Sequence, residues 1–184
     1  MLDLEKLVVD CRQAIVADPS CCSLREVVAR AVADRSGVMN ALGEPRRGQL
    51  QTLYRSPELT VLNVIWAPSM SIMPHDHRMC AVIGLYGGRE DNVFWQRVPG
   101  HPDGKVEVSG VKTLETGQTA ILDGNIIHSV TNPTRQLTGA IHVYGGDFFA
   151  TERSEWDPDS LVKRPFDAAR AVRLFEEANA MRTG

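Results

Sequence analysis

The 184-residue chain reads as a mainly β protein, closed as a sandwich or barrel, with helices at both ends. Three observations predict this. From residue 49 to residue 144 the chain falls into short runs of aliphatic, aromatic and β-branched residues, punctuated by Pro, Gly and Asp-Gly, as expected of a many-stranded barrel. Before residue 49 and after Asp167, apolar residues recur at intervals of three and four, the period of one helix face. Two histidine-bearing segments, 73–77 and 117–132, lie inside the β-rich part, where closure of a barrel can bring them together.

In chain order, Leu4, Leu7, Val8, Cys11 and Ile15 describe a helix over 2–17, and Asp18-Pro19 ends it. A second helix is expected from Ser23, whose hydroxyl can cap while Glu26 completes a capping box, and it runs through Val27, Val28 and Ala31. Residues 37–48 read as a connection with a helical turn around 38–42. Strands are expected over 49–54, 59–66, 80–86, 92–98, 106–114, 119–122, 127–130 and 138–144. The strands should cease at Gly145-Gly146, leaving 147–165 to wrap the barrel as a polar stretch with scattered aromatics. Asp167 can cap a last helix on which Ala168, Ala171, Leu174, Phe175 and Ala178 share a face. With no internal repeat or linker, the expectation is one domain, 1–184: a helical segment 1–48, a β-barrel 49–146, and a wrapping segment with its helix 147–184.

A formal net charge of −3 and a pI near 5.9 provide no basic field for nucleic acid and no polybasic membrane anchor. The first residues carry acids and no long apolar run, so a cytoplasmic protein with a small ligand is expected. Cys11, Cys21, Cys22 and Cys80 form no C-x-x-C pair and no regular framework, which argues against a zinc ribbon or a disulfide scaffold; Cys80 and the Cys21-Cys22 pair read as packed residues.

The chemistry is concentrated in Met73-Pro-His75-Asp76-His77 and in His128. In an extended strand, side chains at i and i+2 leave the same face, so His75 and His77 aim two imidazoles at one point while Asp76 aims away, free to brace the site from behind. The two segments resemble the paired motifs of the cupins, small β-barrel proteins. In the first, Ser69 stands for the opening glycine, His75 and His77 are in register, Ala81 occupies the place of the acid, and Gly88 closes the motif. In the second, Gly117, His128 and Asn132 are in place, with Asp123 for proline and Asn125 for glycine; asparagine tolerates a left-handed turn better than most residues. The resemblance implies the cupin double-stranded β-helix (jelly-roll) barrel and a metal held by His75, His77 and His128.

Three imidazoles with open positions suit iron, zinc, copper or nickel. Ala81 cannot ligate, and Glu90, beyond the Gly87-Gly88 turn, lies too far along the next strand to replace the acid. A divalent ion on three neutral ligands keeps its full charge and favours an anionic guest such as a thiolate. Here a narrower resemblance enters: with His142-Val143-Tyr144 and Trp66, the site is similar to the thiol dioxygenases, the cysteine and 3-mercaptopropionate dioxygenase branch of the cupins. That resemblance covers about residues 54–144. It implies Fe(II) on the three histidines, a small thiol and O2 as partners, His142 and Tyr144 beside the metal, and a carboxylate-binding arginine, for which Arg55 is the match. Ala140 stands where that family carries a serine two residues before the histidine. Cys80 falls one residue before the family's cross-linked cysteine and on the other strand face, so no cross-link to Tyr144 is expected. The alternatives are a cupin of other metal or substrate specificity, or a small-ligand-binding cupin without catalysis; monomer and homodimer both remain open.

Overall fold

The protein is described by a computed structural model covering residues 2–182. Helix α1 (Leu4–Ala17) begins where the Asp3 carboxylate accepts from the Lys6 N–H and ends at Asp18, before Pro19. Helix α2 (Cys22–Ala33) begins earlier than expected and without the Ser23–Glu26 box. Its cap is Cys21, in the left-handed region at φ 63°, and the Ser23 N–H donates to Asp18 Oδ2 at 2.9 Å. The Asp18 carboxylate also takes the Ser20 N–H and hydroxyl, so one strong acceptor organises the whole connection. Helix α3 (Arg35–Leu42) is longer than the turn expected there.

The strands of the barrel follow: β1 (Gln49–Arg55), β2 (Thr60–Trp66), β3 (Ser71–Asp76), β4 (Ala81–Gly87), β5 (Arg89–Arg97), β6 (Val106–Glu115), β7 (Thr119–Leu122), β8 (Ile127–Thr131) and β9 (Thr138–Tyr144). From β2 to β9 they pair as nested hairpins, β2 with β9, β3 with β8, β4 with β7 and β5 with β6, all antiparallel. This nesting is the double-stranded β-helix, or jelly roll, and it produces two sheets ordered β1-β2-β9-β4-β7 and β3-β8-β5-β6.

The three central strands of the first sheet, β2, β9 and β4, are buried on both faces, which is why they read as unbroken apolar runs rather than alternating ones. Leu62, Val64, Ile83, Leu85, Ala140 and Tyr144 point into the barrel, whereas Val61, Ile65, Val82, Ile141 and Val143 pack against α1 and α2. Gly84 is required by that second contact: a Cβ there would stand 2.6 Å from Val28 Cγ1 of α2.

The expectation that strands cease after Gly146 is corrected. Strand β10 (Ser154–Trp156) pairs Glu155 with His75 of β3 and continues to β11 (Lys163–Pro165). Without them β3 would be an open edge, and three-residue strands in a polar stretch leave no alternation to read. A second correction concerns cysteine: Cys21 and Cys80 form a disulfide, with Cα atoms 6.8 Å apart, joining the start of α2 to the start of β4, while Cys11 and Cys22 are free. Helix α4 (Ala168–Ala180) is capped by Asp167 as expected; Ala171, Leu174, Phe175 and Ala178 pack on the barrel, Phe175 stacking on Trp66 with centroids 5.5 Å apart. No helix among the described residues is long and apolar enough to cross a membrane.

Candidate metal centre

His75 on β3 lies directly opposite His128 on β8, and His77 follows β3 by one residue, so register alone brings the three rings to one place. Their ligating nitrogens fall within 4.8 Å of one another, and all three side chains are buried. Burial first, then the neighbouring imidazoles, holds His77 and His128 well below the usual histidine range, while burial and Arg153 bring His75 down to about 4. All three are therefore neutral near pH 7, the form a metal requires.

The donor set fits an ion. His75 Nδ1–H donates to the Met73 carbonyl at 3.0 Å and His128 Nδ1–H to Asn92 Oδ1 at 2.8 Å, which leaves Nε2 of both rings with a free lone pair. His77 Nε2 stands 2.9 Å from His128 Nε2. Two nitrogens held at right angles about 2.1 Å from one ion stand about 3.0 Å apart, so this one pair has the spacing of adjacent ligands. A metal ion held there would take a lone pair from each of these two Nε2 atoms. No carboxylate belongs to the cluster among the described residues; Ala81 is buried at the place of the acid.

Around the three rings is a cavity of 270 Å³, lined among others by Trp66, Ile72, Val130, His142, Tyr144, Phe148, Arg153, Phe166 and Phe175. The structure brings His142 and Tyr144 to this cavity. Their residues alternate inward with Ala140 on β9, His142 Nδ1 and the Tyr144 hydroxyl are 3.0 Å apart, and the Tyr144 and His77 ring centroids are 5.1 Å apart. Burial lowers His142 to about 3 and raises Tyr144 above the ordinary phenol.

Arg55 is not brought to the cavity. It is half-exposed at the end of β1 and donates from Nε and Nη2 to the Asp147 carboxylate at 2.9 Å each, with Phe149 beneath it. The guanidinium that faces the histidines belongs to Arg153, which sequence reasoning missed. It is held between the rings of Phe148 and Phe166, 3.9 and 3.8 Å from their centroids, and Nη1 lies 3.4 Å from His77 Nδ1. Among the described residues no carboxylate forms an ion pair with it, and burial lowers its pKa to about 10. Nothing local in Thr151-Glu-Arg153-Ser marks this arginine. Its placement follows from Asp76, whose Oδ1 accepts the Ser154 N–H at 2.8 Å; Asp76 thus braces the strand beside Arg153 rather than an imidazole.

Glu90 was also missed. It is not a ligand, in agreement with its place along β5, but it is fully buried, accepting from Trp66 Nε1 at 2.8 Å and from Asn92 Nδ2 at 2.9 Å. The inward series Glu90, Asn92, Phe94 at i, i+2, i+4 could have revealed it. Of the motif positions, Ser69 adopts φ 58° where the motif has glycine, and Gly117 adopts φ 84°. Asn125 does not take up the left-handed turn expected of it: its N–H donates to Asp123 Oδ1, a local turn closed by the aspartate. Asn132 serves the scaffold, its amide reaching the Trp66 and Ala67 carbonyls. Cys80 is turned away from Tyr144 and tied to Cys21.

No protein-family model matches the sequence. Among solved structures the chain is similar to an RmlC-like cupin family protein with a double-stranded β-helix fold from Methanocaldococcus jannaschii, at 8% identity over 58% of this chain and 86% of that one, with a TM-score of 0.47. It is also similar to a cupin superfamily protein from Desulfitobacterium hafniense, at 12% identity over 56% and 84% of the two chains, with a TM-score of 0.44. A conserved double-stranded β-helix protein from Klebsiella pneumoniae matches at 14% identity over 59% and 82%, with a TM-score of 0.45. Likeness at this level concerns the barrel alone. The strand pairing is that of a double-stranded β-helix, and the site within it is a three-histidine cluster able to hold a metal ion.

Proposed function

We propose that the protein is an iron(II)-dependent thiol dioxygenase that converts a small carboxylate-bearing thiol, such as cysteine or 3-mercaptopropionate, to its sulfinate with O2. Both oxygen atoms enter the product, RSH + O2 giving RSO2H. The observation that carries this reading is the meeting, in one 270 Å³ cavity, of three neutral imidazoles without a carboxylate and a partly buried arginine that no carboxylate ion-pairs among the described residues. The first arrangement leaves a divalent ion its full charge and favours a thiolate; the second calls for a carboxylate.

When bound by His75, His77 and His128, iron(II) supplies the one-electron chemistry that triplet dioxygen needs in order to react with a thiol. The chain's own groups do the rest. Arg153, stiffened between Phe148 and Phe166, binds the substrate carboxylate and orients the sulfur toward the histidines. Tyr144, held by His142 Nδ1, presents a phenolic hydroxyl beside His77 and can hold or return the thiol proton. Phe148, Phe166, Phe175 and Ile72 keep water from the cavity. Arg78, Lys163 and Glu152 line an adjoining open cleft of 720 Å³ that shares Arg153 and Phe166 with the inner cavity.

The test is oxygen uptake by protein loaded anaerobically with iron(II), offered cysteine, 3-mercaptopropionate and cysteamine, with the sulfinate identified by mass. Uptake with the two carboxylate thiols in preference to cysteamine is expected. An iron-replete sample that consumes no oxygen with any of the three removes the proposal.

A further inference from the structure

Glu90 is a fully buried carboxylate inside the barrel that neither ligates nor lines the cavity. Isolating an acid in this way is unfavourable unless its neighbours are built around it. Here they are. Trp66 Nε1–H, a group that can only donate, gives its proton to Oε2, and the Asn92 amide gives one to Oε1. Burial raises Glu90 to about 7, while both hydrogen bonds pull it back down.

These hydrogen bonds run in one direction, toward His128. Oε2 takes the Trp66 N–H and Oε1 the Asn92 N–H, so Glu90 accepts on both sides, and Asn92 turns its NH2 toward Glu90 and its Oδ1 toward His128. That oxygen can only accept, so His128 must carry its proton on Nδ1, 2.8 Å away. The lone pair is then left on Nε2, the nitrogen that faces His77. A group at position 90 that could donate to Asn92 would permit the amide to turn over, and His128 would then present Nε2–H, unable to ligate. The other oxygen of Glu90 faces His142 Nε2 at 4.0 Å, an atom with no hydrogen-bond partner.

We propose that Glu90 is a positioning residue of the metal centre: through Asn92 it dictates which nitrogen of His128 is free to bind metal. The proposal rests on the reading of His75, His77 and His128 as ligands but not on the reaction that they support.

The test uses the full chain without metal and follows the imidazole nitrogens by NMR after ¹⁵N-histidine labelling, with a cobalt(II) titration read by visible absorption. Wild type should show His128 protonated on Nδ1. In Glu90→Gln the His128 tautomer should become mixed or reversed, and cobalt(II) should bind about 10–100-fold more weakly, the loss usual when a group behind a ligand is removed. The exchange E90Q/N92D should restore both readouts, because the introduced glutamine can accept from Trp66 and donate to the introduced aspartate, which in turn accepts from His128. A space-filling role for Glu90 predicts no such recovery.

A single variant that keeps His128 on Nδ1 and binds cobalt(II) like wild type overturns the proposal, as does an exchange variant that restores neither readout. Should Glu90→Gln fail to fold, recovery of folding and of the Nδ1–H tautomer in the exchange variant is the expected result. Loss of thiol-dependent oxygen uptake with these readouts intact would count against the proposed reaction and not against the role of Glu90.

Discussion

Nη1 of Arg153 lies 3.4 Å from Nδ1 of His77, so the partly buried guanidinium and the histidine cluster share one contact and one cavity. An anion bound to the first is thereby held beside the second. Replacing Arg153 by Met keeps the apolar contact with Phe148 and Phe166 but removes the charge-assisted pair, worth about 1.5–3 kcal/mol. The kcat/KM for 3-mercaptopropionate or cysteine should fall about 10- to 100-fold, mostly through KM, with that for cysteamine changed little. Steady-state oxygen uptake measures this; an equal loss for all three thiols would remove the carboxylate role.

Tyr144→Phe removes the hydroxyl that stands 3.0 Å from His142 Nδ1 and touches no metal-facing nitrogen. Iron content should remain near that of wild type while kcat falls about 100-fold, the lower range for a positioned proton-transfer group. His128→Ala should do the reverse, lowering bound metal itself. Metal analysis of the two purified variants separates these effects.

Acid should unfold the metal-free protein. Burial lowers His75 to about 4 and His142 to about 3, so their stabilisation is present above about pH 6.5 and is lost as pH falls toward those values. Glu90 acts in the opposite sense: raised to about 7, it contributes stability that is present below the ordinary carboxylate value and is lost as pH rises through 7. Two histidines against one glutamate leave the unfolded chain binding more protons between pH 6.5 and 4.5. The expected slope is about 1 kcal/mol per pH unit, and steeper as His77 and His128 join. Urea midpoints at pH 7, 6 and 5 should decrease in that order, and a midpoint that rises toward pH 5 would contradict it.

Reducing the Cys21–Cys80 disulfide should destabilise the protein without disturbing the centre. The bond closes a loop of 59 residues between α2 and β4, and removing such a constraint from the unfolded chain costs about 2–4 kcal/mol. Cys21→Ser should lower the urea midpoint accordingly and leave cobalt(II) affinity unchanged, since Cys80 lies on the helix side of β4.

Much of this architecture was legible without coordinates where it is encoded locally. The strand runs, the Asp18-Pro19 stop of α1, the Asp167 cap of α4, and the spacing of His75, His77 and His128 all depend on neighbours a few residues apart. What was misread depended on competition between partners. Asp18 claimed the Ser23 N–H that a capping box would have used, and β3 needed a pairing partner, so polar residues 154–156 became a strand.

By itself, then, the sequence determined a mainly β barrel with helical ends and a histidine set at two strand positions, because side-chain alternation and turn chemistry are short-range properties. Only the tertiary structure decided that Arg153 rather than Arg55 enters the cavity, and that Glu90 is sealed inside behind His128. Both outcomes follow from pairings between segments far apart in the chain, β10 on β3 and β5 on β8; alternation along β5 can mark Glu90 as inward, but no local pattern records which distant residue it will meet.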